Sequence, residues 1–333
     1  MDAEMAAPTP ADILNHFYPQ SGWTGAIKPA ETSGFSGAAV FRVGSEIGSL
    51  CLRRWPPEPM TARRLAGIHR LLGEVYRSGL AMIPVPLLTR SGETVVDTRG
   101  ELWQLEPWMP GKADFHDNTS DKRLDEIMTT LARFHIAARE ASSDSRSDDC
   151  PPTLPERLQI LRSTQQEMPR IEQSLRTEPI SRFRKVASRI ALQIREHSSR
   201  IEFTLRHASR QTVPVLPCLR DIWHDHLLFE GDELTGLVDF GAMRVDTVAA
   251  DLSRLLSSLF PLNSMQWSSA LSLYEKERPL TDAERNLIPV LAESGTLLSG
   301  TQWLRARYVH HAEFDMSRVC DRLESISDRL ESA

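Results

Sequence analysis

Cysteine is scarce in this chain. Four cysteines, Cys51, Cys150, Cys218 and Cys320, are scattered over 333 residues with no CxxC pair. That argues against a disulfide framework or a paired-cysteine metal site and favours reduced thiols in a cytoplasmic protein. No apolar run approaches the length of a membrane helix. The first residues, Met1 to Phe17, lack a basic flank followed by an apolar core, so no secretory signal is expected. A net charge of −6 gives no global case for nucleic-acid binding. No internal repeat is evident. What remains is a chain with 41% hydrophobic residues, able to bury a sizeable core in one two-lobed unit or two domains.

The most informative stretch runs from Cys218 to Leu252. It holds Asp221 and Asp239, eighteen positions apart. Leu227-Leu228-Phe229 and Leu234 to Val238 are short strand candidates, and Gly231-Asp232 between them signals a hairpin. Asp221 precedes the first strand and Asp239 leaves the second, so hairpin pairing is expected to bring their loops to the same end. The bland alternative is two solvated loop aspartates. The pair in this frame, with the second opening Asp239-Phe240-Gly241, argues against it.

These residues resemble the aminoglycoside phosphotransferase and choline kinase family, a small-molecule branch of the protein-kinase-like fold. The family pattern is HGDxxxxN, a strand, a turn, a strand and DFG, then a DLA-like helix start. Asp221 falls at the catalytic Asp, Asp239 at the metal-binding Asp, and Asp251-Leu252 at the later helix start, where the Asp is usually structural. Two positions depart. Leu219-Arg220 replaces His-Gly, and His226 stands where the family has its metal-binding Asn. Magnesium prefers oxygen ligands, whereas imidazole suits softer ions such as manganese or zinc. His226 is therefore a candidate metal ligand, with phosphate bonding or simple packing as alternatives.

The resemblance implies an α+β, bilobal protein-kinase-like fold, with a small β-rich lobe over residues 1–108 and a larger helical lobe over 109–333. ATP is the expected cofactor, with Mg2+ or else Mn2+, and the partner is a small molecule offering a hydroxyl acceptor. In the small lobe, the turn with Ser33, Gly34, Ser36 and Gly37 is expected to bring backbone N–H groups to phosphates. Arg53, with Arg54 next, stands for the phosphate-holding cation on the following strand. Strand alternation allows only one of them to face inward. The helix expected from Thr61 to Leu80 offers no Glu at the aligned place to pair with that cation; His69 lies nearer. Glu106 and Trp108 mark the hinge, where backbone groups would meet adenine, although Pro107 cannot donate.

Further helices are expected around Leu124–Ala138, Val186–Leu205, Leu287–Leu304 and Val319–Leu330, with a polar, Pro-rich loop over 141–157. His135 is expected to pack beneath the catalytic loop as a satisfied core histidine. A basic balance over residues 160–210 reads as a solvated helix face before it reads as an anion-attracting one. Two rival functions stay open. One is a nucleotide-binding pseudokinase, suggested by the motif departures. The other is a transition-metal site at His224, Asp225 and His226, which lacks a further ligand set.

Overall fold

The computed structural model describes residues 7–30, 37–56, 60–142, 148–262 and 264–331. Contacts divide the chain into two compact units. One takes the chain up to Asp114 plus Asp225–Gly241, and the other takes Phe115–His224 and the chain from Ala242 onward.

In chain order the first unit contains α1 (Pro10–Phe17), β1 (Trp23–Pro29), β2 (Ala39–Ser45), β3 (Gly48–Trp55), α2 (Ala62–Arg77), β4 (Val96–Thr98) and β5 (Glu101–Pro107). Among the described residues β1 to β5 form one antiparallel sheet in the order β1-β2-β3-β5-β4. Alternation divides the side chains of β3 and β5 between its faces. Leu50, Leu52, Trp103 and Leu105 join Ile13, Leu14, Tyr18 and Val43 in one core cluster. On the other face Trp55 and Leu102 pack with Leu65 of α2. Thr61 caps α2 by accepting from the Arg64 amide, and Leu65, Ile68, Leu72 and Val75 form its buried stripe.

The second unit carries α3 (Asp121–Ala141), β6 (Asp148–Asp149), α4 (Thr153–Thr177), α5 (Arg182–Ala208), β7 (Val213–Pro214) and β8 (Leu216–Cys218). The chain then returns to the first unit for a hairpin of β9 (Leu227–Glu230) and β10 (Glu233–Leu237), turning at Gly231 with φ 59°. The second unit resumes with β11 (Arg244–Asp246), α6 (Val248–Leu259), α7 (Met265–Glu277), α8 (Asp282–Tyr308) and α9 (Met316–Glu331). Side-chain caps start most of these helices: Ser120, Ser181, Thr247 and Thr281 each accept from an amide of the first turn.

The four later helix expectations hold in place and lengthen at their ends, whereas the helix expected over Thr61–Leu80 is shorter, running from Ala62 to Arg77. The expected loop over 141–157 is shorter than its prolines suggested, because α4 starts at Thr153. Pro155 lies in the first turn of that helix, where a missing N–H costs nothing. No helix among the described residues is long and apolar enough to cross a membrane. The four cysteines are free thiols.

Candidate active site

In the first unit, β3 presents Cys51, Arg53 and Trp55 on one face, opposite Glu106, Gln104 and Leu102 of β5. Arg53 is the inward arginine. Its Nη1 lies 2.9 Å from Asp239 Oδ1 and its Nη2 4.0 Å from Glu106 Oε1. Its guanidinium also sits 5.0 Å from the centre of the Trp55 ring. Arg54 points to the other face, where it pairs with Glu101 at 3.2 Å and 41% of its side chain stays accessible.

The helix α2 has no carboxylate for this cation. His69 occupies the buried stripe instead and shares a 3.1 Å hydrogen bond with Gln104 Oε1. The Trp55 indole donates to the same oxygen at 2.7 Å, and Gln104 Nε2 donates to Glu106 at 2.6 Å. Arg53 is thus paired with carboxylates from β5 and from the loop after β10. Burial opposes its charge, but Asp239 and Glu106 outweigh that and raise its pKa. Burial likewise pushes the Asp239 carboxyl up, yet Arg53 and His226 reverse the balance and leave it below its ordinary value. Glu106 goes the other way: its burial outweighs Arg53, and its carboxyl is raised.

Asp239 adopts φ +69°, a left-handed conformation costly for most side chains but tolerated by Asp. Behind it, Gly241 lies against the Trp55 ring. A Cβ there would come within 2.3 Å of the ring, so this position admits no side chain without movement. Arg64 of α2 donates to the Gly241 carbonyl at 3.0 Å. Across the hairpin, the Val238 amide donates to the His226 carbonyl at 3.0 Å, and His226 Nε2 lies 3.8 Å from Asp239 Oδ2. One carboxylate oxygen beside one imidazole nitrogen fits a divalent ion that accepts mixed oxygen and nitrogen ligands.

Of the remaining expected nucleotide contacts, Ser33, Gly34 and Ser36 lie outside the described residues. Gly37 adopts φ +74°, as a turn glycine can. The Glu106 side chain is buried beside Arg53. The Trp108 amide donates to the Ser49 carbonyl at 3.0 Å, and Arg42 lies 5.0 Å from the centre of its ring.

In the second unit, Asp221 follows a tightly tied turn. Arg220 has φ +67°, the conformation that suits the family's glycine at this place. The Leu219 and Arg220 amides donate to the two oxygens of buried Asp251, at 2.7 and 2.6 Å. His135 bridges Asp251 Oδ2 at 3.0 Å and the Tyr274 hydroxyl at 2.8 Å. The Arg220 guanidinium pairs with Glu156 at 2.6 Å and with fully buried Asp246. Asp221 itself accepts from Arg254 Nε at 2.7 Å, and 42% of its side chain remains accessible. His135, Cys218 and Asp251 lie close enough to suggest a metal, but burial holds the Cys218 thiol far above its ordinary pKa. The histidine and the carboxylate are satisfied by the bonds just described. This cluster holds the loop.

The sequence pointed to His69 without giving it a role, and left Trp55, Gln104 and Arg254 out of the site. Alternation from Arg53 points to Trp55 and, through register, to Gln104. Nothing local signals Arg254, which reaches Asp221 across 33 positions.

A two-lobed α+β fold of the protein-kinase-like type, with a β3 cation on the carboxylate of an Asp-Phe-Gly turn, defines a class of phosphate-handling proteins. The chain belongs to the phosphotransferase enzyme family (APH), whose model matches residues 27–282, and so to the aminoglycoside phosphotransferase and choline/ethanolamine kinase-like group. Its members are ATP-dependent small-molecule phosphotransferases that typically use a divalent metal. Among solved structures, the fold resembles an aminoglycoside phosphotransferase from Alicyclobacillus acidocaldarius at TM-score 0.60 and 15% identity, over 99% of this chain and 94% of that one. It resembles an amicoumacin kinase, solved with AMP-PNP and Ca2+, at TM-score 0.60 and 17% identity, over 94% and 90% of the two chains. Among curated proteins, the homoserine kinase of Rhizobium johnstonii is 34% identical over 82 residues, 23% of this chain and 26% of that protein. That of Brucella anthropi is 33% identical over 82 residues, 23% and 25% of the two. The chain thus spans about a quarter of the length of these curated relatives.

Proposed function

We propose that this protein transfers the γ-phosphate of ATP to a hydroxyl of a small polar molecule. The observation that carries the reading is the part-buried Arg53–Asp239 pair at 2.9 Å, a cation and a carboxylate each suited to one end of a metal nucleotide. In this reading Arg53 exchanges Asp239 for phosphate oxygens, which its planar guanidinium can grip bidentately. Asp239 and His226 would hold the divalent ion, which supplies charge compensation for the β- and γ-phosphate oxygens. Gly37, with Ser33, Gly34 and Ser36 before it in sequence, would lie along the phosphates, and the Glu106 to Trp108 segment beside adenine. Asp221 orients the acceptor hydroxyl, with Arg254 fixing the carboxylate through Oδ1. The hydroxyl oxygen forms a bond to the γ-phosphorus as the bond to the β,γ-bridging oxygen breaks. ADP departs with that electron pair, and the hydroxyl proton passes to Asp221. Positioning and charge stabilisation carry most of the rate. A cytoplasmic setting, where ATP is plentiful, accords with the reading.

Asp239→Asn should weaken metal-nucleotide binding, since it removes the anionic ligand. Asp221→Asn should leave nucleotide affinity within about twofold and lower turnover by about a hundredfold or more. Calorimetry and coupled ADP release measure both. The Arg254–Asp221 pair favours one rival, a nucleotide-binding protein without transfer, because it engages the carboxylate meant for the hydroxyl. ATP binding with no turnover across acceptors and metals would select that rival. Absence of nucleotide binding would sink both.

A further inference from the structure

The second unit contains a small cavity of about 40 Å³ lined by Arg157, Arg254, Arg322 and Arg329, with no carboxylate among its lining residues. Its other polar walls are hydroxyls, among them Ser257, Thr296 and Ser299. The arginines come from three helices, Arg157 from α4, Arg254 from α6 and the other two from α9, against a wall from α8, so no local sequence pattern produces the cluster.

Each guanidinium is held in place. Arg157 donates to the Leu291 carbonyl and, at 2.8 Å, to Ser294 Oγ. Gly295 makes room for it: a Cβ there would lie 3.2 Å from the Arg157 guanidinium. Arg329 donates to the Ser257 carbonyl at 3.2 Å. Arg254 and Arg322 lie 4.8 and 3.7 Å from the centre of the Trp223 ring, so the indole orients both. Arg254 is paired with Asp221, yet its charge still acts against Arg157 and Arg329, and burial makes that repulsion stronger. Burial, then the nearby Arg220 and Arg254 charges, bring Arg157 down to about 9, and burial with Arg254 also lowers Arg329. An oxyanion in the cavity would relieve the repulsion and accept several charge-assisted hydrogen bonds at once. Arg254 links the cavity to Asp221, which sits two residues before Trp223.

We infer that the arginine-lined cavity binds the anionic group of the acceptor, so that the substrate is a small alcohol bearing a carboxylate or a phosphate. The inference rests on the phosphotransferase reading above. It names the end of the acceptor that Asp221 does not handle. It also excludes a class: a polycationic or quaternary-ammonium alcohol meets four guanidinium groups at this wall.

A series of small alcohols that differ in charge tests it. Glycerate and glycerol 3-phosphate carry the two kinds of anion, glycerol is neutral, and ethanolamine and choline are cationic. Equilibrium binding is measured by calorimetry without nucleotide, and ADP release is measured with ATP and either metal. Glycerate or glycerol 3-phosphate, whichever anion the cavity prefers, should bind and be turned over, with the neutral and cationic alcohols at least about tenfold poorer in kcat/KM. Arg322→Gln, at a partly exposed site on α9, should raise KM for the anionic acceptor about tenfold or more. Its kcat should hold within about twofold, and Arg322→Lys should recover part of the loss. Arg157→Met should act in the same direction, although its burial makes a folding check by circular dichroism necessary. Neutral or cationic alcohols turned over as well as the anionic ones would overturn the inference, as would an unchanged KM in Arg322→Gln. Failure of every anionic probe to bind at millimolar concentration would overturn it too. Anion binding that Arg322→Gln abolishes, with no phosphotransfer under any condition, would keep the cavity and sink the phosphotransferase reading instead.

Discussion

At the residue scale, His226 is where this chain differs most usefully from its family. Its Nε2 lies 3.8 Å from Asp239, so the proposed ion gains a nitrogen ligand in place of an amide oxygen. His226→Asn should therefore shift activity towards magnesium and away from manganese, read as the ratio of turnover with each metal. An unchanged ratio would remove His226 from the metal site. His69 offers a second residue-level test. Burial outweighs its hydrogen bond to Gln104 and lowers its pKa from the ordinary value of 6.5 to about 4. The folded state keeps His69 neutral while the unfolded chain protonates below 6.5, so the unfolded state binds the extra proton in that window. Stability from this group is complete above pH 6.5 and falls as pH drops towards 4, by on the order of 3 kcal/mol. Urea unfolding at pH 7 and pH 4.5 should show a smaller acid loss in His69→Gln than in wild type. Buried His135 shifts in the same direction, so the difference between the two proteins is the informative quantity.

At the element scale, two turns hold the site residues, and each has an identifiable constraint. Gly241 abuts the Trp55 ring, so Gly241→Ala forces the indole or the loop aside. Overpacking of this kind costs about 1–3 kcal/mol, and near-ultraviolet circular dichroism should register the displaced tryptophan. Arg220 occupies a glycine-like conformation, which makes Arg220→Gly attractive on backbone grounds. The packing says otherwise. The guanidinium neutralises fully buried Asp246, and stranding a buried carboxylate costs about 3–5 kcal/mol, against roughly 1–2 kcal/mol of relieved strain. Arg220→Gly should therefore lower stability in chemical denaturation by about 1–4 kcal/mol net. The β9–β10 hairpin was legible because apolar strands flank a Gly-Asp turn and period-two alternation needs only local information. The start of α4 was not, because a proline in a first turn and a proline in a loop look alike until the chain's direction is known.

At the scale of the whole molecule, the prediction concerns linkage. A ligand that binds only the folded chain stabilises it by about 2.7 kcal/mol at a hundred times its dissociation constant. ATP with manganese should raise the unfolding temperature of wild type and of Asp221→Asn, and raise that of Asp239→Asn much less. Equal shifts in all three proteins would show that the nucleotide does not use Asp239. Because the chain forms two compact units, calorimetry should be read for separate transitions before a single midpoint is assigned.

Local pattern alone determined where most helices lie, the hairpin, the two spaced aspartates and that only one of Arg53 and Arg54 can face inward. Each depends on periodicity, turn chemistry or motif spacing within a few tens of residues. Tertiary structure alone decided the partners. Arg53 pairs with Asp239 across 186 positions, Asp221 with Arg254 across 33, and Arg157, Arg254, Arg322 and Arg329 share one cavity. A charged side chain's local sequence is the same whether it faces water or another charge. Its partner and its desolvation are set only when distant elements pack, and those two quantities decide what it can bind.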